Sequence, residues 1–151
     1  TRGAVRESVT LDRVVRELAA LATCHPAGLG RSLDLPAACP AVRLRTDFGL
    51  LLKVLNQMLI NALEATAEGE AVRCRIEVLP EAVTWRFWNR RPIPRYLARR
   101  MFQRHVTTKP EPGRGWGGHT MKLVGEELLG GRVEFESSSE TGTEFRFTLP
   151  W

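Results

Sequence analysis

No stretch of the chain holds the roughly 18 unbroken apolar residues that a bilayer-spanning helix needs. No basic leader with an apolar centre opens it either. Neither a membrane span nor a secretion signal is expected within these residues. Cysteine is scarce: Cys24, Cys39 and Cys74 are odd in number and form no C-x-x-C pair. That usage fits a reducing, cytoplasmic setting and not a disulfide framework, whether or not the whole protein is anchored in a membrane. His25, His105 and His119 share no ligand spacing with one another or with the cysteines, so no structural metal is expected. An initiating methionine is also missing, and Thr1 is expected to lie inside a longer protein or a processed one. No glycine-rich loop ends in GKS or GKT, which excludes a Walker nucleotide loop. Helix-turn-helix, zinc-finger and stacking-aromatic motifs are absent, and nucleic acid is not an expected partner.

What is present suits one globular domain, residues 1–151, with 43% hydrophobic residues to build a core. The net charge is +5 and arginine far outnumbers lysine. The densest run, "RFWNRRPIPRYLARRMFQR", offers a surface for an anionic ligand or an acidic partner, or a plain solvated face.

Periodicity predicts the elements. "LDRVVRELAALA" spaces Leu11, Val14, Val15, Leu18 and Leu21 as a helix does. "SLDL" and "VRLR" alternate as short strands. Asp47 or Thr46 then caps a long helix, "FGLLLKVLNQMLINALEATAEG", expected to end at Gly69. At 100° per residue, Leu51, Leu52, Leu55, Met58, Leu59, Ala62 and Leu63 share a face opposite Lys53, Gln57, Asn61, Glu64 and Glu68. "VRCRIEVL" and "AVTWRFWN" read as one hairpin, "RVEFES" and "GTEFRFTLP" as another. Between them lie a short helix at "RYLARRMF" and a longer one at "HTMKLVGEELL". Strands in antiparallel pairs, with helices not alternating one by one, predict an α/β two-layer sandwich: a mixed, largely antiparallel sheet with helices on one face.

Two segments carry chemistry. "TTKPEPGRGWGG" precedes a helix start. Free N–H groups at a helix amino end attract phosphate, and glycines let the backbone come close. Lys109 and Arg114 add positive charge. A phosphate cradle and an ordinary long turn both account for this stretch. In "QMLINALEAT", Asn61 borders the apolar face, where its carboxamide oxygen suits a hard cation or merely water.

Taken in order, "NALEA", a strand pair, "IP…MF…TTK…GRGWGG…KLVGEELLGG" and "GTEFRFTLP" resemble the GHKL ATPase superfamily. The closing "LLGGRVEFESSSETGTEFRFTLP" is most similar to the carboxy-terminal ATP-binding domain of bacterial sensor histidine kinases. The resemblance spans about Val9 to Trp151. It implies ATP and Mg²⁺ as ligands, with Asn61 holding the Mg²⁺ and Gln57 one turn before it. It implies a lid over the nucleotide at about Pro94 to Trp116, anchored by Phe102. Lys109, Gly113, Arg114, Gly115, Gly117 and Gly118 would then meet the phosphates. Thr143 would sit near the adenine, with Gly142 allowing the turn. It further implies two partners: an upstream dimerisation domain carrying the phosphoacceptor histidine, and a response regulator.

The chain departs from that family twice. The Asp-x-Gly-x-Gly box that reads adenine is replaced by "FWNRRPIP", which puts Trp88 or Asn89 at the aspartate's place. Arg90 and Arg91 then either crowd the base or grip phosphate. Gln57 stands where hydrolysing relatives have a glutamate, and a carboxamide takes no proton from water. That suits a kinase better than a hydrolase of the gyrase or chaperone type. The alternative is a degenerate relative that keeps the fold as an interaction module. His25, His105 and His119 are not expected to be the acceptor.

Overall fold

The computed structural model describes residues 5–93 and 117–151. Strand β1 (Glu7–Thr10) leads into helix α1 (Leu11–Cys24), short strands β2 (Ser32–Asp34) and β3 (Arg43–Thr46), and helix α2 (Phe48–Ala65). Strands β4 (Ala71–Val78) and β5 (Ala82–Asn89) follow. Helix α3 (Gly117–Lys122) runs on through wider π-helical turns, Leu123–Leu128, before β6 (Arg132–Ser138) and β7 (Gly142–Pro150). The expected helix at "RYLARRMF" lies outside the described residues.

Five strands form one sheet in the order β2-β4-β5-β7-β6. Only the β2–β4 pair is parallel. The β4–β5 hairpin thus becomes a neighbour of the β6–β7 hairpin through β5 and β7, which pair along eight residues from Ala82↔Pro150 to Asn89↔Thr143. Strand β1, which the sequence did not announce, pairs with β3 in a separate two-stranded sheet. Helices cover one face of the main sheet, so the mixed two-layer architecture is as expected.

Helix α2 is the centre of the core. Asp47 caps it, its Oδ1 accepting the Leu50 N–H at 3.0 Å, an arrangement worth about 1 kcal/mol. Leu51, Val54, Leu55, Met58, Leu59, Ala62 and Leu63 are fully buried, each larger one contributing about 1.5–3 kcal/mol before conformational entropy is counted. Val54 takes the core place that the wheel assigned to Leu52, which is only half-buried. The helix ends at Ala65, not at Gly69: the Thr66 hydroxyl donates to the Ala62 carbonyl and the Thr66 N–H to Leu63. Against α2 pack Trp85, Phe87, Phe145 and Phe147 from the sheet. In the π-helical segment the Leu129 N–H reaches back to the Val124 carbonyl. The wider turn keeps Met121 and Val124 in the core and leaves Leu123 and Leu128 exposed.

The other face of the sheet is charged. Arg86 bridges Glu77 at 2.9 Å and Glu144 at 3.0 Å, and Arg146 bridges Glu144 at 3.3 Å and Glu136 at 2.8 Å. Asp34 takes Arg75 at 3.0 Å and Arg73 at 3.9 Å. The hydrogen bond from Arg146 holds the Glu136 carboxyl below its ordinary range.

Candidate functional site

The site candidates gather at two places on the helix-covered side. The first is on α2, where a spacing of four residues stacks Gln57 under Asn61 on one face. Gln57 Nε2 donates to Asn61 Oδ1 at 2.9 Å. Both groups are half-buried carboxamides. They bind and orient, and at neutral pH they take up no proton.

The second is the carboxyl end of β5. Side chains alternate along a strand, and Val83, Trp85, Phe87 and Asn89 all turn to the buried side. Trp88 therefore faces the opposite way. There its indole N–H donates to the Thr141 carbonyl at 2.6 Å and the Arg73 guanidinium lies 4.8 Å from its ring centre. Of the two residues that the sequence left open at this point, Asn89 is the one on the helix side. It is fully buried. Its Nδ2 reaches the Arg91 carbonyl at 3.4 Å, and its Oδ1 has no partner among the described residues.

Thr143, directly opposite Asn89 on β7, is also fully buried. Its hydroxyl donates to the Arg91 carbonyl at 2.7 Å and meets Ser137 Oγ at 2.8 Å. Ser137 in turn accepts the Ile93 N–H at 2.7 Å. The segment that lacks the expected glycines is thus fastened through its backbone. Its arginines turn away to Glu70, Arg91 Nε at 3.3 Å and Arg90 at 3.9 Å. Ser137 is the functional candidate that the sequence did not reveal. One serine in "SSSE" carries no periodic or motif signal, and only the β6–β7 register singles it out.

Gly142 opens β7 at the end of the β6–β7 turn with φ +81°, and a Cβ there would come within 2.3 Å of the Asn89 carbonyl oxygen. Gly117 and Gly118 begin α3, which packs against α2. Lys109, Gly113, Arg114 and Gly115 lie outside the described residues, as do Phe102, His105 and the expected lid. His25 has a structural task, its Nδ1 accepting the Ala27 N–H at 3.0 Å after α1. The Cys74 thiol is pushed up to about 12 by burial, which leaves no thiolate nucleophile there at neutral pH. Among the described residues no group of three or more His, Cys, Asp or Glu is placed to hold a metal.

Known proteins share this fold. Residues 46–151 match the family described as histidine kinase-, DNA gyrase B-, and HSP90-like ATPase. The structure is similar to the nucleotide-free catalytic domain of histidine kinase ThkA, with 25% identity, 97% of this chain and 95% of that one covered, and a TM-score of 0.82. It is similar in fold to the mycobacterial sensor histidine kinase MprB, with 20% identity, 97% of each chain covered and a TM-score of 0.75. Against histidine kinase ThkA in complex with the response regulator protein TrrA, the identity is 25% and the TM-score 0.77. There 96% of this chain matches 41% of that one. No curated protein matches the chain. A family match over more than half of the residues, on a sheet and helices that superpose almost end to end with a kinase catalytic domain, identifies the chain as a member of the histidine kinase-, DNA gyrase B- and HSP90-like ATPase family.

Proposed function

We propose that this chain is the ATP-binding catalytic domain of a two-component sensor histidine kinase. It would act on a histidine carried by a separate dimerisation domain, with a response regulator receiving the phosphoryl group afterwards. The observation that carries the reading is Asn89. Its amide oxygen is fully buried and has no partner among the described residues, which costs about 1–3 kcal/mol, and an N–H donor on the base of a bound nucleotide relieves that cost. The likeness to the ThkA catalytic domain over 97% of the chain supports the kinase assignment.

The residues fit Mg²⁺ as well. Asn61 offers a neutral, hard oxygen on a half-exposed helix face, and Mg²⁺ takes most of its remaining ligands from phosphate and water. When bound, the ion neutralises charge on the transferring phosphoryl group. Asn61 would hold it, with Gln57 orienting the carboxamide through their hydrogen bond. Gln57 activates no water, so the γ-phosphoryl group is kept for the histidine. Lys109, Gly113, Arg114 and Gly115 are assigned to the phosphates by family resemblance. Gly117 and Gly118, the first residues of α3, are assigned to the same task, and the packing of α3 against α2 supports it.

Saturating Mg·ATP should raise the melting temperature: at 100-fold over the dissociation constant the gain is about 2.7 kcal/mol, or roughly 5–10 °C for a domain of this size. With γ-labelled ATP and a separately made dimerisation domain, label should appear on the acceptor histidine. No shift at millimolar Mg·ATP would mean an interaction module. Phosphate released to water without labelled histidine would mean a hydrolase.

Asn89→Asp tests the base contact. A charged acceptor is worth about 1.5–3 kcal/mol against about 1 for a neutral one, so ATP should bind ~3- to 30-fold tighter. The free protein should melt lower, because the carboxylate would face the Arg91 carbonyl. Weaker or unchanged ATP binding would place the base elsewhere.

A further inference from the structure

The nucleotide reading leaves one question open: what decides which atom of the Asn89 amide is offered to a ligand? We infer that Ser137 is the positioning residue that sets this choice, and with it a preference for 6-amino over 6-oxo purines. The inference rests on the proposed nucleotide site.

The two ends of a short hydrogen-bond chain are backbone groups with fixed roles. The Ile93 N–H only donates, so Ser137 Oγ accepts from it at 2.7 Å. The Arg91 carbonyl only accepts, so the Thr143 hydroxyl donates to it at 2.7 Å. Thr143 has one proton and has used it. The 2.8 Å contact between the hydroxyls is therefore a donation from Ser137 to Thr143. Every hydroxyl proton in the chain is determined: Ile93 N–H to Ser137, Ser137 to Thr143, Thr143 to Arg91.

The far end of that chain governs Asn89. Its side chain meets the same Arg91 carbonyl at 3.4 Å. An acceptor on that side requires the amide nitrogen to face it, because the reversed amide would set two acceptors against each other. The oxygen is left on the other side, buried and unpartnered among the described residues. Among the described residues, the Asn89 amide thus displays an acceptor and no donor on that side. Adenine brings an exocyclic N–H₂ to such a group. A 6-oxo purine brings a carbonyl, and two acceptors repel.

The amide contact is long beside the usual 2.7–3.2 Å. A small shift of the Arg91 carbonyl would release it. Thr143 holds that carbonyl, and Ser137 holds both Thr143 and the backbone two residues further on. Glu70 contributes only exposed ion pairs to the arginine side chains, which are weak restraints.

The test uses the wild-type chain, Ser137→Ala and Ser137→Thr, each titrated calorimetrically with Mg·ATP and with Mg·ITP, whose base carries an oxygen in place of the amine. The wild type should prefer ATP by ~10-fold or more. Ser137→Ala should weaken ATP and leave ITP nearly unchanged, collapsing the ratio towards one. Ser137→Thr, which keeps the hydroxyl, should retain it. An equal loss for both nucleotides in Ser137→Ala is what a merely structural serine would give, and it overturns the inference. A wild type that binds both equally also overturns it while leaving the nucleotide site standing. Binding of neither nucleotide by the wild type removes the proposed site and this inference together.

Discussion

Asn61→Ala should abolish the part of ATP affinity that depends on Mg²⁺ and leave the rest. Partners that only orient a metal ligand typically command 10- to 100-fold in metal affinity. A ligand atom itself should stand at the upper end of that range or beyond it. The structural cost is small by comparison. Asn61 is half-buried on α2 and loses one hydrogen bond, from Gln57 at 2.9 Å, worth about 1 kcal/mol. The core residues of the same helix are untouched. The measurement is a calorimetric titration of ATP with Mg²⁺ and again with EDTA. Wild type and variant should agree in EDTA and diverge by roughly two orders of magnitude in Mg²⁺. If Mg²⁺ improves ATP binding equally in both, Asn61 holds no metal and the assignment of α2 to the phosphate end is wrong.

The second large effect is on stability. Gly142→Val forces a β-branched residue into φ +81°, with its Cβ 2.3 Å from the Asn89 carbonyl oxygen and 3.0 Å from Arg90 backbone atoms. Positive φ alone costs about 1–3 kcal/mol. The clash is with the backbone of Asn89 and Arg90, not with a flexible side chain, so the β5 end or the β6–β7 turn has to move. A total of about 3–5 kcal/mol is the expected range for such a combination. That corresponds to a melting temperature lower by roughly 10 °C. Gly69→Val is the control: its φ is +85° but among the described residues no heavy atom lies within 4 Å of where its Cβ would stand, so only the dihedral term should remain. Equal losses for the two variants would show that the contact with Asn89 does not constrain the turn. Because the displaced atoms belong to Asn89 and Arg90, the variant should also lose nucleotide affinity beyond its loss of stability.

The long helix was readable because seven large or small apolar side chains repeat on one face of it, and periodicity reports burial directly. Leu52 and Val54 exchanged places for a reason a wheel does not contain. The direction of the neighbouring sheet decides which flank of the stripe is covered. Strand β1 carries no periodic signal, since "ESVT" is four residues with a single buried side chain, Val9, and its partner β3 is distant in sequence. The end of α2 falls before Gly69, the strong stop signal in the sequence, because Thr66 stops the helix with its own hydroxyl. In the site, Asn89 was visible as a departure from a motif, but its separation from Trp88 needed the alternation of β5. Ser137 needed the register of β6 on β7, a contact between residues six apart whose roles no local pattern assigns.

The open face of the sheet has a consequence for what the domain attracts. Arg75, Arg86 and Arg146 stand opposite one another on three adjacent strands, which alone would be repulsive. Asp34, Glu77, Glu144 and Glu136 are interleaved with them and with Arg73, cation for anion. A polyanion approaching this side meets alternating poles that cancel within a few ångströms, and it has few counterions to shed in exchange for contacts. The four arginines and four carboxylates paired here cancel one another, so they account for none of the chain's excess of five positive charges.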